Sequence, residues 1–345
     1  MKLQAHITAS SCISAQHNSG VEGLPAEWQF PVTAIHEVQR PDYVRYIDPR
    51  QVRRMGKSVR LALCAANLCV DQAHQVPDAI ITATGLGSMG STEKFITQVL
   101  ENDEENLIPY AFLQTTFNTS GAQIALQHQI TDYNMTWVHK GIGFEWALID
   151  AITLLESGEA SRVLCGGFDE MTTNHAHVMS RAGLSVEGEV NTARIFAENH
   201  PIPGEGAGFF MLEPHGDGPK ITSVNVHTGT VSEEVVRGLI ERSLQESGWD
   251  APDLILSGEN GLPAHDLYLA NALNTYSLPQ ARFKHLCGEF ETCTAFAVWL
   301  ATHATDVEKI NALVHTHLKL AQIPGKVLIV NQYSDDNLGV IALEL

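Results

Sequence analysis

The sequence predicts an α/β protein built from two similar halves, and three observations point to this class. In the first half, a strand, a tight turn at Gly141 and an apolar helix follow one another. In the second half, the segment KHLCGEFETCTAFAVWLA parallels HKGIGFEWALIDAITLL of the first. Between them, the glycines and proline of HGDGP at 215–219 are typical of a linker. We therefore expect one half in residues 1–214 and the other in 219–345.

Strands and helices alternate along the first half. The predicted strands cover residues 3–10, 79–82, 133–138 and 162–165, and a further apolar strand follows GEGAG at 204–208. The predicted helices cover residues 52–73, 117–129 and 144–157. The Gly166-Gly167 pair is expected to end its strand, and the polar segment from Asp169 to His200 is expected to be mostly loop.

The same order of elements begins again after the linker. The predicted elements are strands at 221–227, 254–257 and 327–330, with helices at 232–248 and 288–305. The turn GLGSMG after the strand at 79–82 is interpreted as a tight connection between a strand and a helix. A phosphate site is the less favoured alternative there, because the full glycine fingerprint is missing and Lys94 comes too late.

Composition excludes several classes of function. The formal net charge of −19 argues against binding to nucleic acid, to an anionic membrane or, over the main surface, to an acidic carrier protein. The six cysteines show no CxxC pair, and no segment has the length of a signal peptide core or a membrane span. These patterns predict a soluble, cytoplasmic protein with reduced thiols. His175, His177 and His200 lack metal-ligand spacing and nearby carboxylates, so we predict neither a metal nor a cofactor.

Four features together resemble one family. They are Asn118, Gly158 after the apolar helix, the Gly166-Gly167 pair and the GEGAG segment. The first three match, without a gap, the pattern of the β-ketoacyl synthases of the thiolase superfamily, and GEGAG followed by an apolar strand is a further signature similar to that family. The resemblance extends over nearly the whole chain. It implies a thiolase-like fold, with two pseudo-duplicated αβαβα halves that contain mixed sheets.

The resemblance also implies where catalytic residues would stand, and at each position this chain differs. Counting from Asn118 and from Gly158 places the family's acyl-carrying cysteine at Gly141, within His139-Lys140-Gly141. The first family histidine falls at Gly258 and the second at Glu289, while the lysine of the second motif is kept as Lys284. Glycine cannot hold an acyl group, and a carboxylate cannot stabilise an oxyanion.

The closing loop of the family has also changed. Where the resemblance places a glycine-rich gate with two phenylalanines, this chain has Asn331-Gln332-Tyr333-Ser334. Loss of four separate active-site motifs beside intact scaffold motifs predicts a subunit that is not an enzyme on its own. The chain therefore looks like a chain length factor, the inactive partner of a heterodimeric ketosynthase in polyketide or fatty acid biosynthesis. Its bend and eroded loop look most like the aryl-polyene kind.

That resemblance predicts an active ketosynthase as the partner, with acyl carrier protein contacted indirectly through it. Family gating residues fall in the segment that holds Phe112, Gln114 and Phe117, which are our candidates for the wall of a chain tunnel; ordinary core positions are the alternative for each. The strand that pairs across the family's dimer contains Tyr133, Met135 and Trp137, which would equally suit a buried core strand.

Two other classes of function remain open at the sequence level. The first is an acyltransferase that uses another nucleophile, for which Cys287 beside Gly288, with Lys284 and His285 close in sequence, is the best candidate. The second is an acyl-binding homodimer that acts alone. The sequence does not assign a role to His139 or Lys140.

Overall fold

A computed structural model describes residues 4–16, 23–107 and 109–345. The first half contains strands β1 (Ala5–Ile13), β2 (Val32–Thr33), β3 (Ala79–Thr84), β4 (Asn134–Val138), β5 (Val163–Asp169), β6 (Val190–Asn191) and β7 (Gly206–Glu213). Its helices are α1 (Pro49–Val52), α2 (Lys57–Ala73), α3 (Met89–Glu101), α4 (Pro109–Leu113), α5 (Thr119–His128), α6 (Gly143–Ser157), α7 (Thr173–Arg181) and α8 (Ile195–Glu198). Leu3, the first residue of a predicted strand, lies outside the described residues.

The second half repeats this alternation. Its strands are β8 (Lys220–Thr228), β9 (Leu254–Ser257), β10 (Gln280–Arg282), β11 (Lys326–Tyr333) and β12 (Asn337–Glu344). Its helices are α9 (Glu233–Ser247), α10 (Pro263–Leu273), α11 (Lys284–Cys287), α12 (Thr294–Thr302) and α13 (Val307–Leu313). The segment 215–219 is a turn that joins β7 to β8, and the division of the chain into domains there stays a prediction.

The large strands of both halves form one mixed sheet in the order β10-β9-β11-β12-β8-β1-β7-β5-β3-β4. Each half contributes five strands to this sheet. From β1 outward the order is β1-β7-β5-β3-β4, and from β8 outward it is β8-β12-β11-β9-β10. If the five strands of each half are numbered along the chain, both orders read first, fifth, fourth, second and third. In each half the outer pairs are parallel and the inner pairs antiparallel. The predicted pseudo-duplication and mixed strand directions are therefore present.

Three hydrophobic clusters arrange this sheet into layers. The first joins α6 and α12 to one face of the strands from both halves. The second places α2 and α5 on the other face of the first-half strands, and the third places α9 and α10 on the other face of the second-half strands. The layers therefore run α, β, α, β, α through the two halves together. The β1–β8 pairing, at Ala5–Ile221 and His6–Lys220, makes the two half-sheets continuous where separate sheets were expected.

Several element boundaries differ from the predictions for local reasons. β5 runs through Gly166-Gly167 to Asp169, because a Cβ on Gly166 would lie 2.3 Å from Cδ1 of Phe209 and only glycine allows that approach. The segment after Asp169 is partly helical rather than loop, since α7 begins at a Thr172 cap whose hydroxyl accepts the backbone N–H of His175. His175 and His177 therefore lie on a helix.

The predicted helix at 288–305 is shorter than expected. Its first six residues form an extended bend, in which the backbone N–H of Glu289 donates to the carbonyl of Ile202 and Glu289 in turn accepts from Gly204. Helix α12 then begins at Thr294. This bend positions the side chains discussed next, because it holds residues 289–292 against the end of β5.

Candidate functional site

Gly141 lies at the bend between β4 and α6, with a backbone φ of +88° that side chains rarely adopt. A Cβ built on Gly141 would lie 2.3 Å from the Cβ of Tyr333 and 2.5 Å from its ring. The space in which a side chain at this position would stand is therefore filled by Tyr333. The neighbouring His139 turns its ring nitrogen Nδ1 to the Lys140 carbonyl at 2.8 Å.

Gly258, at the end of β9, is enclosed in the same way. A Cβ there would lie 2.3 Å from Oδ1 and 2.7 Å from Cα of Asn331. The Asn331 side chain is itself held, since its Nδ2 donates to the Thr294 hydroxyl at 2.8 Å. Two of the positions that the resemblance assigns to catalytic side chains are thus packed against residues 331 and 333 of β11.

Lys284 and Glu289 form a buried ion pair beside this strand. The Lys284 ammonium donates to both carboxylate oxygens of Glu289, at 2.8 and 3.0 Å, and to the Gln332 carbonyl at 3.0 Å. Asn260 donates to the same carboxylate at 2.8 Å. Burial lowers the pKa of Lys284, but Glu289, Cys293 and Asp266 together more than offset this, so the pKa is raised and Lys284 stays charged. The ammonium and the carboxylate are thus within ion-pair distance, and both side chains are buried.

A second buried acidic group lies on the other side of Tyr333. The Tyr333 hydroxyl donates to Glu291 at 3.0 Å. Asp169 accepts from the Thr84 hydroxyl, the Gly85 amide and the amide and hydroxyl of Thr292, at 2.8 to 3.0 Å. Burial, and then the charge of Glu291, raises the pKa of Asp169 to about 7, and burial likewise raises the pKa of Glu291.

This arrangement opposes the chemistry of acyl condensation. A thiolate and a thioester oxyanion need hydrogen-bond donors or positive charge close by. Here the buried acidic groups Asp169, Glu289 and Glu291 supply no positive charge, and Lys284 is the one lysine or arginine that is buried among the described residues. Its ammonium is already engaged by Glu289 and by a carbonyl. Among the described residues, no other buried lysine or arginine is left to stabilise an anion beside the bend.

Cys287 does not meet the requirements of a nucleophile. Its side chain is fully buried, and the Sγ lies 3.3 Å from the Gly288 carbonyl and 3.8 Å from that of Phe283. Burial raises the pKa of Cys287 well above its ordinary value, which is opposite to the depression that nucleophilic cysteines show. The nearby Lys284 lowers it by less than burial raises it.

The predicted tunnel residues are divided between two environments. Phe112 is 53% exposed and Phe117 is 44% exposed, so the plain-core alternative is wrong for both. Gln114 is buried, and it lines a cavity with Tyr110 of α4. Phe117 packs over the GLGSMG turn, where a Cβ on Gly87 would lie 2.7 Å from its ring. That turn joins β3 to α3 as predicted.

The strand β4 is the outermost strand at one end of the ten-stranded sheet and pairs with β3 alone among the described strands. Tyr133 and Met135 are 37% and 41% exposed, so they are not buried core residues. Trp137 is half-buried, donates to Asp150 at 2.9 Å and stacks on Trp146. The strand therefore presents an unpaired edge with apolar side chains.

Sequence reasoning missed the residues that fill the site. It treats Asn331 and Tyr333 only as part of an eroded loop, and it assigns no role to Asp169 or Glu291. The available signal was the pair of glycines at 141 and 258, because a close-packed interior must fill the volume that lost side chains leave. Within the described ranges there is no group of three or more metal-ligating side chains. No described helix is long and apolar enough to cross a bilayer.

Comparisons with known proteins identify the family. The model of the β-ketoacyl synthase N-terminal domain matches residues 23–217, more than half of the chain. The chain therefore belongs to the β-ketoacyl synthase family. The 3-oxoacyl-[acyl-carrier-protein] synthase 2 of Synechocystis sp. is 23% identical over 190 residues, which are 51% of this chain and 46% of that protein. The match thus spans about half the length of this curated relative.

Solved structures agree with this fold over the whole chain. The ishigamide ketosynthase/chain length factor covers 100% of this chain and 99% of its own, with a TM-score of 0.78 and 16% identity. A type II polyketide ketosynthase, solved in complex with its acyl-carrier protein and bound to the hexaketide, gives 0.77 with 14% identity and covers 100% of both chains. A β-ketoacyl synthase from Burkholderia phymatum gives 0.75 with 14% identity and covers 100% of both chains.

Proposed function

We propose that this chain is a catalytically inactive ketosynthase-like subunit, a chain length factor, that pairs with an active β-ketoacyl-carrier-protein synthase. The observation that carries the proposal is the packing at Gly141 and Gly258. A Cβ at either position would lie 2.3 Å from Tyr333 or Asn331, so the chain has no room for the side chains that the reaction requires. We extend the proposal to aryl-polyene or type II polyketide biosynthesis and to a cytoplasmic location.

The distribution of exposed apolar side chains supports a partner on the β4 side. Among the described residues, 10 of the 20 exposed large apolar side chains lie between residues 96 and 138. Apolar surface concentrated in one segment, beside an unpaired sheet edge, is typical of an interface. The likeness to the ishigamide ketosynthase/chain length factor supports an unlike partner rather than a second copy of this chain.

In this proposal the active subunit supplies the cysteine and histidines, and this chain supplies one wall of the tunnel that holds the growing product. Each added two-carbon unit gains about 1.6 kcal/mol on burial, at about 0.8 kcal/mol per CH₂. A side chain that blocks growth must cost more than that, and overpacking costs about 1–3 kcal/mol. Phe112 and Phe117 suit the role, because both are large and accessible to a partner.

Pairwise co-expression tests the proposal. This chain is expressed with a candidate ketosynthase from the same genome, with an affinity tag on one chain only, and the purified material is assayed for condensation with malonyl-carrier protein. We expect a one-to-one complex that condenses, and no condensation by this chain alone. A homodimer that binds acyl groups but recruits no ketosynthase would contradict the proposal.

A further inference from the structure

The cavity that Tyr110 and Gln114 line has a volume of about 380 Å³, and neither Gly141 nor Tyr333 belongs to its wall. Its walls come from the start of α2, the start of α3 and from α4. A cavity of this size can enclose a small molecule or a functional group of a larger one. The function proposed above makes no use of it.

The cavity concentrates positive charge in a chain whose net charge is −19. Arg53, Arg54, Lys57, Arg60 and Lys94 all line it. Lys57 pairs with Glu205 at 2.6 Å, whereas Arg53, Arg54 and Lys94 have no ion-pair partner within the described part of the chain. Such a cluster would repel itself unless an anion neutralised it.

Glu170 is the one acidic residue among the described residues of this wall, so the five cations outnumber it. Both oxygens of Glu170 are held by helix N-termini, since Oε2 accepts from the Ser58 amide at 3.1 Å and Oε1 from the Gly90 amide at 2.8 Å. One backbone N–H in the first turn of each of α2 and α3 is therefore already engaged by Glu170.

Three buried polar atoms in the wall have no hydrogen-bond partner among the described residues. They are Nε of Arg60 and the Oε1 atoms of Gln98 and Gln114. The Gln114 side chain belongs to a residue that is only 7% exposed, so solvent does not readily satisfy it. Buried polar groups are normally paired, so unpaired groups in a cavity call for a water, an ion or another small molecule there. One donor and two acceptors call for a ligand that both accepts and donates.

We propose that this cavity binds a small oxyanion that carries its own hydroxyl donor, of the hydrogen phosphate class. Its oxygens would accept from Arg60 and meet the charge of Lys94, and its hydroxyl would donate to Gln114. The ion is free phosphate, because a phosphate monoester has mostly lost its last hydroxyl proton at pH 7. The binding depends on cationic side chains and buried side-chain amides that come from separate elements, and not on the glycine-rich turn GLGSMG.

Calorimetric titration of the full chain at pH 7, with ionic strength held constant, tests this proposal. The probes are inorganic phosphate, methyl phosphate and sulfate, which has no hydroxyl donor at this pH. We expect phosphate to bind with a Kd below about 1 mM and about tenfold more tightly than sulfate. Methyl phosphate, which has mostly lost its hydroxyl proton at pH 7, should bind more weakly than phosphate. Binding as tight as that of phosphate would show that the cavity does not recognise the hydroxyl, and it would overturn the proposal.

Substitutions separate the two parts of the site. Lys94→Gln should weaken phosphate and sulfate alike by about tenfold, and Gln114→Leu should abolish the preference for phosphate over sulfate. Arg242→Gln, on the distant α9, is the matched control and should change neither; circular dichroism checks that each variant is folded. Equal binding of phosphate and sulfate, or binding unaffected by Lys94→Gln, would overturn the proposal. So would capture of an acidic carrier protein that phosphate does not displace.

Discussion

At the scale of single residues, the contact between Gly141 and Tyr333 determines what the bend can do. Restoring a cysteine by Gly141→Cys should destabilise the fold and yield no condensing activity. The positive φ costs about 1–2 kcal/mol for any side chain, and the clash with Tyr333 adds roughly 1–3 kcal/mol. The loss in free energy of unfolding, measured in urea, gives the sum of these two costs.

Gly158 provides a matched control for that substitution. It also has a positive φ, of +75°, but a Cβ there would meet nothing within 4 Å. Gly158→Cys should therefore cost only the backbone strain, and the difference between the two variants isolates the clash. Adding Tyr333→Ala to Gly141→Cys should recover part of the stability. If both single variants lose the same amount, Tyr333 does not fill the site as described.

The buried histidine His36 is expected to make stability depend on pH. It is 1% exposed, neither ring nitrogen has a hydrogen-bond partner among the described residues, and burial lowers its pKa to about 4 from 6.5. Below pH 6.5 the unfolded chain binds a proton that the folded chain does not, so stability falls as the pH falls towards 4. The full loss from this residue is roughly 3 kcal/mol.

Measuring unfolding of the wild type and of His36→Phe between pH 4 and pH 8 tests this expectation. The comparison matters because Asp169 and Glu145, whose pKa values burial raises to about 7, oppose the trend in both proteins. His285, whose pKa burial lowers to about 3, adds to it in both. Below pH 6.5 the variant should gain stability relative to the wild type. A difference in free energy of unfolding that stays constant from pH 4 to pH 8 would refute the assignment.

At the scale of elements, the edge strand β4 is where association should be most sensitive. Met135→Glu places a charge on the unpaired edge, which a partner strand would have to desolvate. We expect complex formation with a ketosynthase to weaken at least about tenfold, while unfolding of the free chain stays within about 0.5 kcal/mol of the wild type. Analytical ultracentrifugation of the mixed chains measures complex formation, and urea unfolding measures the stability of the free chain.

Ile323→Glu is the control for that experiment. Ile323 is 50% exposed and lies in the second half, away from β4. It receives the same change of charge without touching the edge strand. Equal losses of association in the two variants would show that added negative charge, and not the β4 edge, is responsible.

Elements with strong local patterns were predictable from the sequence, and those shaped by packing were not. The span of β9 was predicted residue for residue and α6 to within one residue, because apolar runs bounded by glycine or polar residues define both. β12 and α10 were not predicted. The end of β5 was placed too early, because glycine normally breaks strands and the approach of Phe209 is invisible in sequence.

The same distinction applies to the site. Spacing along the chain predicts that Gly141, Gly258, Glu289 and Lys284 stand at family positions, and this assignment stays a prediction. The structure shows the Lys284–Glu289 pair. That Tyr333 and Asn331 would fill the space of two missing side chains required knowledge of a contact between distant segments. A prediction that rests on alignment can thus show which groups are lost, whereas only packing shows what replaces them.

At the scale of the whole molecule, the proposed tunnel wall makes a prediction about product length. In a complex with an active ketosynthase, Phe112→Ala should lengthen the product by at least one two-carbon unit. The substitution removes the blocking cost, while each unit still gains about 1.6 kcal/mol by burial. Mass spectrometry of carrier-bound products measures the shift. The control is Val44→Ala, at an exposed site outside residues 96–138, which should leave the products unchanged. If the Phe112→Ala complex makes wild-type products, Phe112 is not part of the tunnel wall.

The most direct measurement is the condensation assay on the co-expressed pair, carried out with the catalytic cysteine of the partner or Cys287 of this chain replaced. We predict a stoichiometric complex whose activity disappears when the partner's cysteine is replaced by alanine and persists when this chain carries Cys287→Ala. Condensation by this chain alone, abolished by Cys287→Ala, would contradict the account and make the chain an enzyme in its own right.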